Sequence, residues 1–222
     1  MAKKRLGGKV AQSRGETSVN GIDLTDNPLT YHGDDKGFSG PARTLFEAQE
    51  KKRKKNKIEF LIMADENGNQ FGKEHRGGSG SVRTPMYDNM RAHSKTHNHP
   101  RSEAGRLGGT FSDSDLRNFS RFPNQKVLRA SAAEGIYHIR KLDGFERAGF
   151  DRMVSTTHTK LRNELNGVVK DLNKQIRAKT ITYDDARAAS DKAFNKFLVN
   201  MHNELSRNAK DYNYDYRLER WK

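Results

Sequence analysis

The sequence predicts an α+β fold, a small mixed sheet followed by an α-helical hairpin, on three observations. Short apolar runs of strand length lie between residues 58 and 141. From Phe150 onward apolar residues recur every three to four positions instead, the period of a helix packed along one face. Residues 1–40 show neither pattern and are rich in Gly, Ser, Asp and Asn, so a basic, partly disordered N-terminal arm is expected there. Leu, Ile, Val and Phe supply only 41 of 222 residues, against a formal net charge of +14. That share lies below the roughly 20% at which high charge begins to predict disorder, so a single core through the whole chain is not expected.

Each element follows in order. Pro41 suits the first turn of a short helix within residues 41–56, with Leu45, Phe46 and Ala48 as its apolar face. The run Lys51-Lys52-Arg53-Lys54-Lys55 ends it, where positive charge complements the helix dipole. Ile58-Glu59-Phe60-Leu61-Ile62-Met63-Ala64 is the strongest strand, closed by a turn whose Asn67-Gly68 pair favours a hairpin. A weaker partner is expected over 70–74, then Gly-rich loop over 76–84 and one or two helical turns over 85–92. Lys126–Ala130 and Ile136–Lys141 form a second hairpin around Glu134-Gly135. The long helix is marked by Phe150, Val154, Leu161, Leu165, Val168, Leu172 and Ile176. Thr182 caps the next helix, with Asp184 and Asp185 in its first turn. Together they make an αα-hairpin, and the aromatic tail Tyr212–Tyr216 is expected to pack on it or stack on a partner. The resulting units are 1–40, 41–56, 57–145 and 146–222.

Composition narrows the function. No apolar run approaches the ~20 residues that span a bilayer, so no membrane partner is expected. The start MAKKRL is followed by polar GGKVAQSRGETS rather than an apolar stretch, so a secretory leader is not expected either. With no cysteine, any metal must be held by His and carboxylates. The charge excess is spread as +6, +3 and +5 over residues 1–57, 58–145 and 146–222. The run Lys51–Lys55 is either a solvated helix end or a site for phosphates or an acidic protein surface.

The densest chemical signal is His97-Asn98-His99-Pro100, followed by Ser112-Asp113-Ser114-Asp115. Two histidines at i and i+2 on an extended segment face one side, so both imidazoles can meet one ion. Ser112 is a natural helix N-cap, which places Asp115 on the first turn. His97, His99 and Asp115 then make a His₂Asp set that leaves the fourth position of a tetrahedral ion for water. Taken singly, the His pair reads as a solvated loop and Ser112/Asp115 as an ordinary capping box. Glu59 is the odd acid in an apolar strand; outward-facing, it would need no function.

An acid in a strand, then His-x-His-Pro, then Ser-x-x-Asp resembles the pattern of JAMM (MPN, JAB) zinc metallopeptidases, over roughly residues 57–142. The spelling is most similar to RadC-like members and to JAMM-like domains of phage and other mobile-element proteins. The resemblance implies a cytidine-deaminase-like mixed-sheet core with Zn2+ on His97, His99 and Asp115. It implies Glu59 as general base and Ser112 as donor to the oxyanion of the tetrahedral intermediate. It implies a protein or peptide substrate and a bacterial cytoplasmic or virion setting. Two departures stand beside it: a long spacer from Pro100 to Phe111, and a polar lead-in, Arg91–Thr96.

Two other functions compete. An HNH nuclease would suit the charge, but it spreads its residues over a ββα unit, whereas these are contiguous. A virion-associated structural protein could keep the JAMM-like fold and bind capsid or nucleic acid through its basic segments, or pair through its hairpin. Arg-Leu-Gly-Gly occurs at 5–8 and 106–109; the two are either flexible turns or, at Gly8–Lys9, a self-cleavage site.

Overall fold

A computed structural model of the chain describes residues 15–33, 39–53, 56–100 and 105–221. A six-stranded mixed sheet forms its centre. In chain order its strands are β3 (Phe60–Ala64), β4 (His75–Arg76), β5 (Ser94–Asn98), β6 (Val127–Ser131), β7 (Ile136–Lys141) and β8 (Tyr214–Glu219). Across the sheet they run β4-β3-β5-β6-β7-β8. Only β5 and β6 pair in parallel, Ser94 opposite Val127 and Asn98 opposite Ser131. A parallel pair needs a crossover, and residues 99–126 supply it with α3 (Asp113–Arg121). A separate two-stranded ribbon joins β1 (Ser18–Val19) to β2 (Ile22–Asp23).

Alternation along the strands gives the sheet two unlike faces. Leu128, Ala130, Tyr137, Ile139, Tyr214, Tyr216 and Leu218 line one face, within the main core. Phe119 from α3, Phe150 and Val154 from α4 (Arg147–Arg177), and Val199 and Leu205 from α5 (Tyr183–Arg207) complete that core. The other face is polar at its centre. There Thr96, Arg129 and His138 lie in register on adjacent strands, beneath α1 (Arg43–Arg53), whose Phe46 joins Ile62 and Ala64 in a smaller cluster. Arg129 is wholly buried and forms two bonds to Glu50, Nε to Oε1 at 2.7 Å and Nη2 to Oε2 at 2.6 Å. Thr96 donates to the same carboxylate at 2.6 Å.

Several expectations need correction. Residues 15–33 are not a free arm: Val19, Ile22, Leu24, Leu29 and Tyr31 are buried in the main core. The ribbon turns at Asn20-Gly21, both at positive φ, as a tight hairpin turn demands. Tyr214 does pack on the helices, its ring centroid 5.1 Å from that of Phe150 and its OH donating to Leu205 O, but Tyr214–Glu219 is not a tail of the helical unit; it is the edge strand of the sheet, paired with β7. The boundary at 146 therefore does not separate two structures. The partner of β3 is His75–Arg76, with Gln70 making only an isolated bridge to Ala64. The turns at 85–92 form α2 (Met86–Arg91). The helical hairpin docks through its base, and from residue 162 on α4 is exposed or half-buried. Among the described residues no helix is long and apolar enough to cross a membrane.

Candidate metal centre

The central strand delivers the histidine pair. Ser94–Asn98 is buried throughout despite its polar sequence, because its polar side chains find partners: Lys95 on Asn89 of α2, Thr96 on Glu50 of α1, and Asn98 on the backbone at Ile58 and Phe60. His99 lies one residue beyond β5 but still donates its backbone N–H to Ser131 O at 2.8 Å, so both imidazoles face the same way, toward α3. That helix opens with a capping box. Asp115 N donates to Ser112 Oγ at 3.2 Å, and Ser112 N donates to Asp115 Oδ2 at 2.9 Å. The box turns the Asp115 carboxylate back toward β5.

His97 Nε2 consequently lies 3.1 Å from His99 Nε2 and 3.5 Å from Asp115 Oδ2. All three ligand atoms fall within 4.8 Å of one another, a cluster that can hold a metal ion. A tetrahedral ion with bonds of ~2.05 Å sets its ligand atoms ~3.3 Å apart, and the observed spacings bracket that value. The donor chemistry fits as well. His99 Nδ1 lies 2.9 Å from Gly109 O and 3.2 Å from Gly108 O. A carbonyl can only accept, so Nδ1 carries the proton and Nε2 presents its lone pair to the centre. His97 Nδ1 is buried with no partner of normal geometry, the Arg129 carbonyl being the acceptor that favours its protonation.

The electrostatics favour one positive charge at this point and oppose two. Burial alone would lower the His97 pKa, but the Asp115 charge and hydrogen bond, helped by Glu59, raise it. Burial and then the His97 charge push His99 down to about 4. Burial works to raise Asp115, yet His97 and the Ser112 bond hold it well below the usual carboxylate range. Asp115 keeps 27% of its side chain exposed, so the cluster opens to solvent on that side.

Glu59 sits beside the cluster. It precedes β3, and its backbone pairs with Gly77 and Gly78, accepting from one and donating to the other. Its parity with Leu61, which lies opposite His97, puts it on the His97 side. Burial raises its pKa, the His97 charge counters, and Asp115 adds to the rise. Asn98, the residue between the two histidines, fixes the backbone on both sides of this acid. It accepts from Phe60 N at 2.7 Å and donates to Ile58 O at 3.1 Å. Ser112 donates its hydroxyl proton to Asp115 Oδ2 at 2.6 Å, so in this arrangement it orients a ligand.

The remaining sequence candidates lie elsewhere. Lys51 and Lys52 are exposed at the end of α1, on the far face of the sheet; the Arg53 side chain, Lys54 and Lys55 lie outside the described residues, as do Arg5–Gly8 and Gly8–Lys9. Arg106–Gly109 is not a flexible turn. Leu107 N donates to Asn195 Oδ1 at 2.9 Å, and Arg106 pairs with Asp191. Gly109 has φ +83, and a Cβ there would meet Leu198 at 2.6 Å. Lys95, on the same face as His97, donates to Asn89 Oδ1 at 2.6 Å; burial lowers its pKa to about 8, opposed by Asp115. Of the residues missed from sequence, Asn98 and Asn195 use their side-chain amides to hold backbone groups, and Gly108 and Gly109 use their carbonyls; Asn98 stands inside the motif, whereas no local signal marks Asn195. A cavity of about 400 Å³ between α4 and α5 has none of the cluster residues in its lining. Comparison with known proteins adds no family to this geometry: no family model, curated protein or solved structure matches the chain.

Proposed function

We propose that the chain is a JAMM-type zinc hydrolase acting on a peptide or isopeptide bond, with a JAMM-like core at its centre. The observation that carries this reading is the convergence of His97 Nε2, His99 Nε2 and Asp115 Oδ2 within 4.8 Å, beside a buried acid that is not itself in the set. A zinc ion on those three groups supplies a Lewis acid that polarises a carbonyl and lowers the pKa of nearby water toward ~7. Glu59 takes the proton of the attacking water and hands it to the leaving amine; its raised pKa suits a group that must both accept and return a proton. Ser112 holds Asp115 in the resting arrangement. To donate to a developing oxyanion it turns its hydroxyl proton away, while its backbone N–H still holds Asp115 Oδ2. The bacterial cytoplasm or virion follows from the resemblance, and the basic segments are proposed to bring the site to capsid or nucleic acid.

The test is metal content followed by cleavage of a mixed peptide library. The purified chain should hold one zinc, lost in Asp115→Ala. Glu59→Gln should keep the zinc and lose cleavage by at least the ~10²-fold expected of a general base. A folded, metal-free protein that binds nucleic acid with a steep salt dependence would overturn the enzyme in favour of the structural alternative.

A further inference from the structure

We infer that Glu134 is a positioning residue for His99, acting through the peptide between Gly108 and Gly109, and that metal affinity depends on it. The inference rests on the metal reading above. Glu134 sits in the tight turn between β6 and β7, is 4% exposed, and is 35 residues from the histidine it serves. Its two carboxylate oxygens take successive backbone N–H groups: Gly108 N donates to Oε2 at 2.9 Å and Gly109 N to Oε1 at 2.7 Å. The carbonyls of those same two residues receive the His99 Nδ1 proton. The shared unit is the Gly108–Gly109 peptide, whose N–H is held by Glu134 Oε1 and whose carbonyl, Gly108 O, meets His99 Nδ1; the Gly109 carbonyl opens the next peptide, one residue past that anchor.

The surrounding groups hold Glu134 still. Tyr137 OH donates to Oε1 at 2.8 Å, and Tyr31 OH donates to the Glu134 carbonyl at 2.9 Å. The glycines admit no side chain at the point of contact: a Cβ on Gly108 would meet Ala132 Cβ at 2.8 Å. From the opposite side Asn195 accepts from Leu107 N and donates to Gly105 O at 2.9 Å. The loop is thus clamped between the β6–β7 turn and α5, and its free carbonyls point at His99. An imidazole that donates to a carbonyl whose own peptide N–H is held by a carboxylate has its orientation and tautomer set from behind, as a metal-binding histidine requires.

Glu134→Gln is nearly isosteric but turns one acceptor into a donor that faces a glycine N–H. Zinc and Co2+ affinity, read by competition with a chromogenic chelator, should fall ~10- to 100-fold, as for other groups that support a ligand from behind. In the metal-free protein with ¹⁵N-labelled histidine, His99 should be the Nδ1–H tautomer in the wild type and a mixture in the variant. A role confined to stability would lower the Tm and move neither reading. Unchanged affinity in a folded Glu134→Gln protein, or a wild-type His99 protonated on Nε2, overturns the inference. If the wild type binds no metal, the metal reading fails separately and the tautomer alone decides this one. If Glu134→Gln does not fold, Tyr137→Phe withdraws the side-chain donor among the three hydrogen bonds to the carboxylate, and a wild-type tautomer population in that variant counts against the relay.

Discussion

Glu50→Gln tests the physical account of the sheet most sharply. The Arg129 side chain is 0% exposed, and its fork meets both oxygens of Glu50, whose side chain is 2% exposed. Neutralising the acid leaves a guanidinium inside the protein without its counter-charge, for which ~3–5 kcal/mol is the expected loss. Gln keeps an acceptor for Thr96 and for one Arg129 N–H, so the lower end, ~3 kcal/mol, is the better figure. At about 2–4 °C per kcal/mol for a chain of this size, the Tm should drop by roughly 6–12 °C. Urea unfolding followed by circular dichroism reads the same quantity as a shift in midpoint at constant slope. The double variant Glu50→Leu/Arg129→Met removes both charges and should recover most of the loss, because two apolar groups need no partner. A Glu50→Gln protein within about 1 kcal/mol of wild type, or a double variant worse than the single, would refute the reasoning. The result also bears on the site: Thr96 precedes His97, and Ala130, opposite His97, follows Arg129, so this network braces the ligand strand from behind.

Asn98→Ala should cost about 1–3 kcal/mol, since it strands a buried N–H at Phe60 and a carbonyl at Ile58. It should also depress cleavage far more than zinc affinity, because it frees Glu59 and leaves the three ligands in place; an equal loss of both would mean that Asn98 supports the histidines instead. Lys141 gives a pH signature. Burial, then Lys126 and Arg147, push its pKa down to about 7 from the usual 10.5, while its Nζ donates to Phe122 O at 2.8 Å. Between those values the unfolded chain binds the proton more fully than the folded one, so this group makes stability rise from pH 7 toward pH 10. Stability measured at several pH values should show Lys141→Met with a shallower rise than wild type across that window; parallel curves would show that Lys141 stays charged when buried.

The parts of this fold that were legible in the sequence are those whose partners are local. The capping box of Ser112 and Asp115, the Thr182 cap that accepts from Asp185 N, and the period of α4 are all written within one or two turns of chain. The strand over Phe60–Ala64 was equally plain because every residue in it is apolar and buried. β5 was not, because its burial is made possible by Glu50, 46 residues away from Thr96, and no local pattern announces a partner at that distance. β8 does alternate, with Tyr214, Tyr216 and Leu218 facing the core, but Asp215, Arg217 and the helices before it disguised a strand as a tail. The ribbon at 18–23 carried its own signal in Asn20-Gly21, which the surrounding polarity masked.

The same division explains what could be known about the site. His97, His99 and Asp115 belong to two local motifs, a pair at i, i+2 and a helix cap, so the sequence names them without the fold. Their supports are non-local by necessity. A ligand's backing group must approach from behind, across the sheet or from another element. Asn98 reaches 38 residues back to Phe60 N, and Glu134 reaches 25 residues back to Gly109 N. Sequence motifs thus carry the atoms that would face an ion or a substrate. The geometry that would make those atoms selective lies in contacts only the folded chain creates, and the long spacer after Pro100 is one of them. It contains the two glycine carbonyls that hold His99, so the Gly108-Gly109 end of what reads as an insertion in the motif backs the candidate centre.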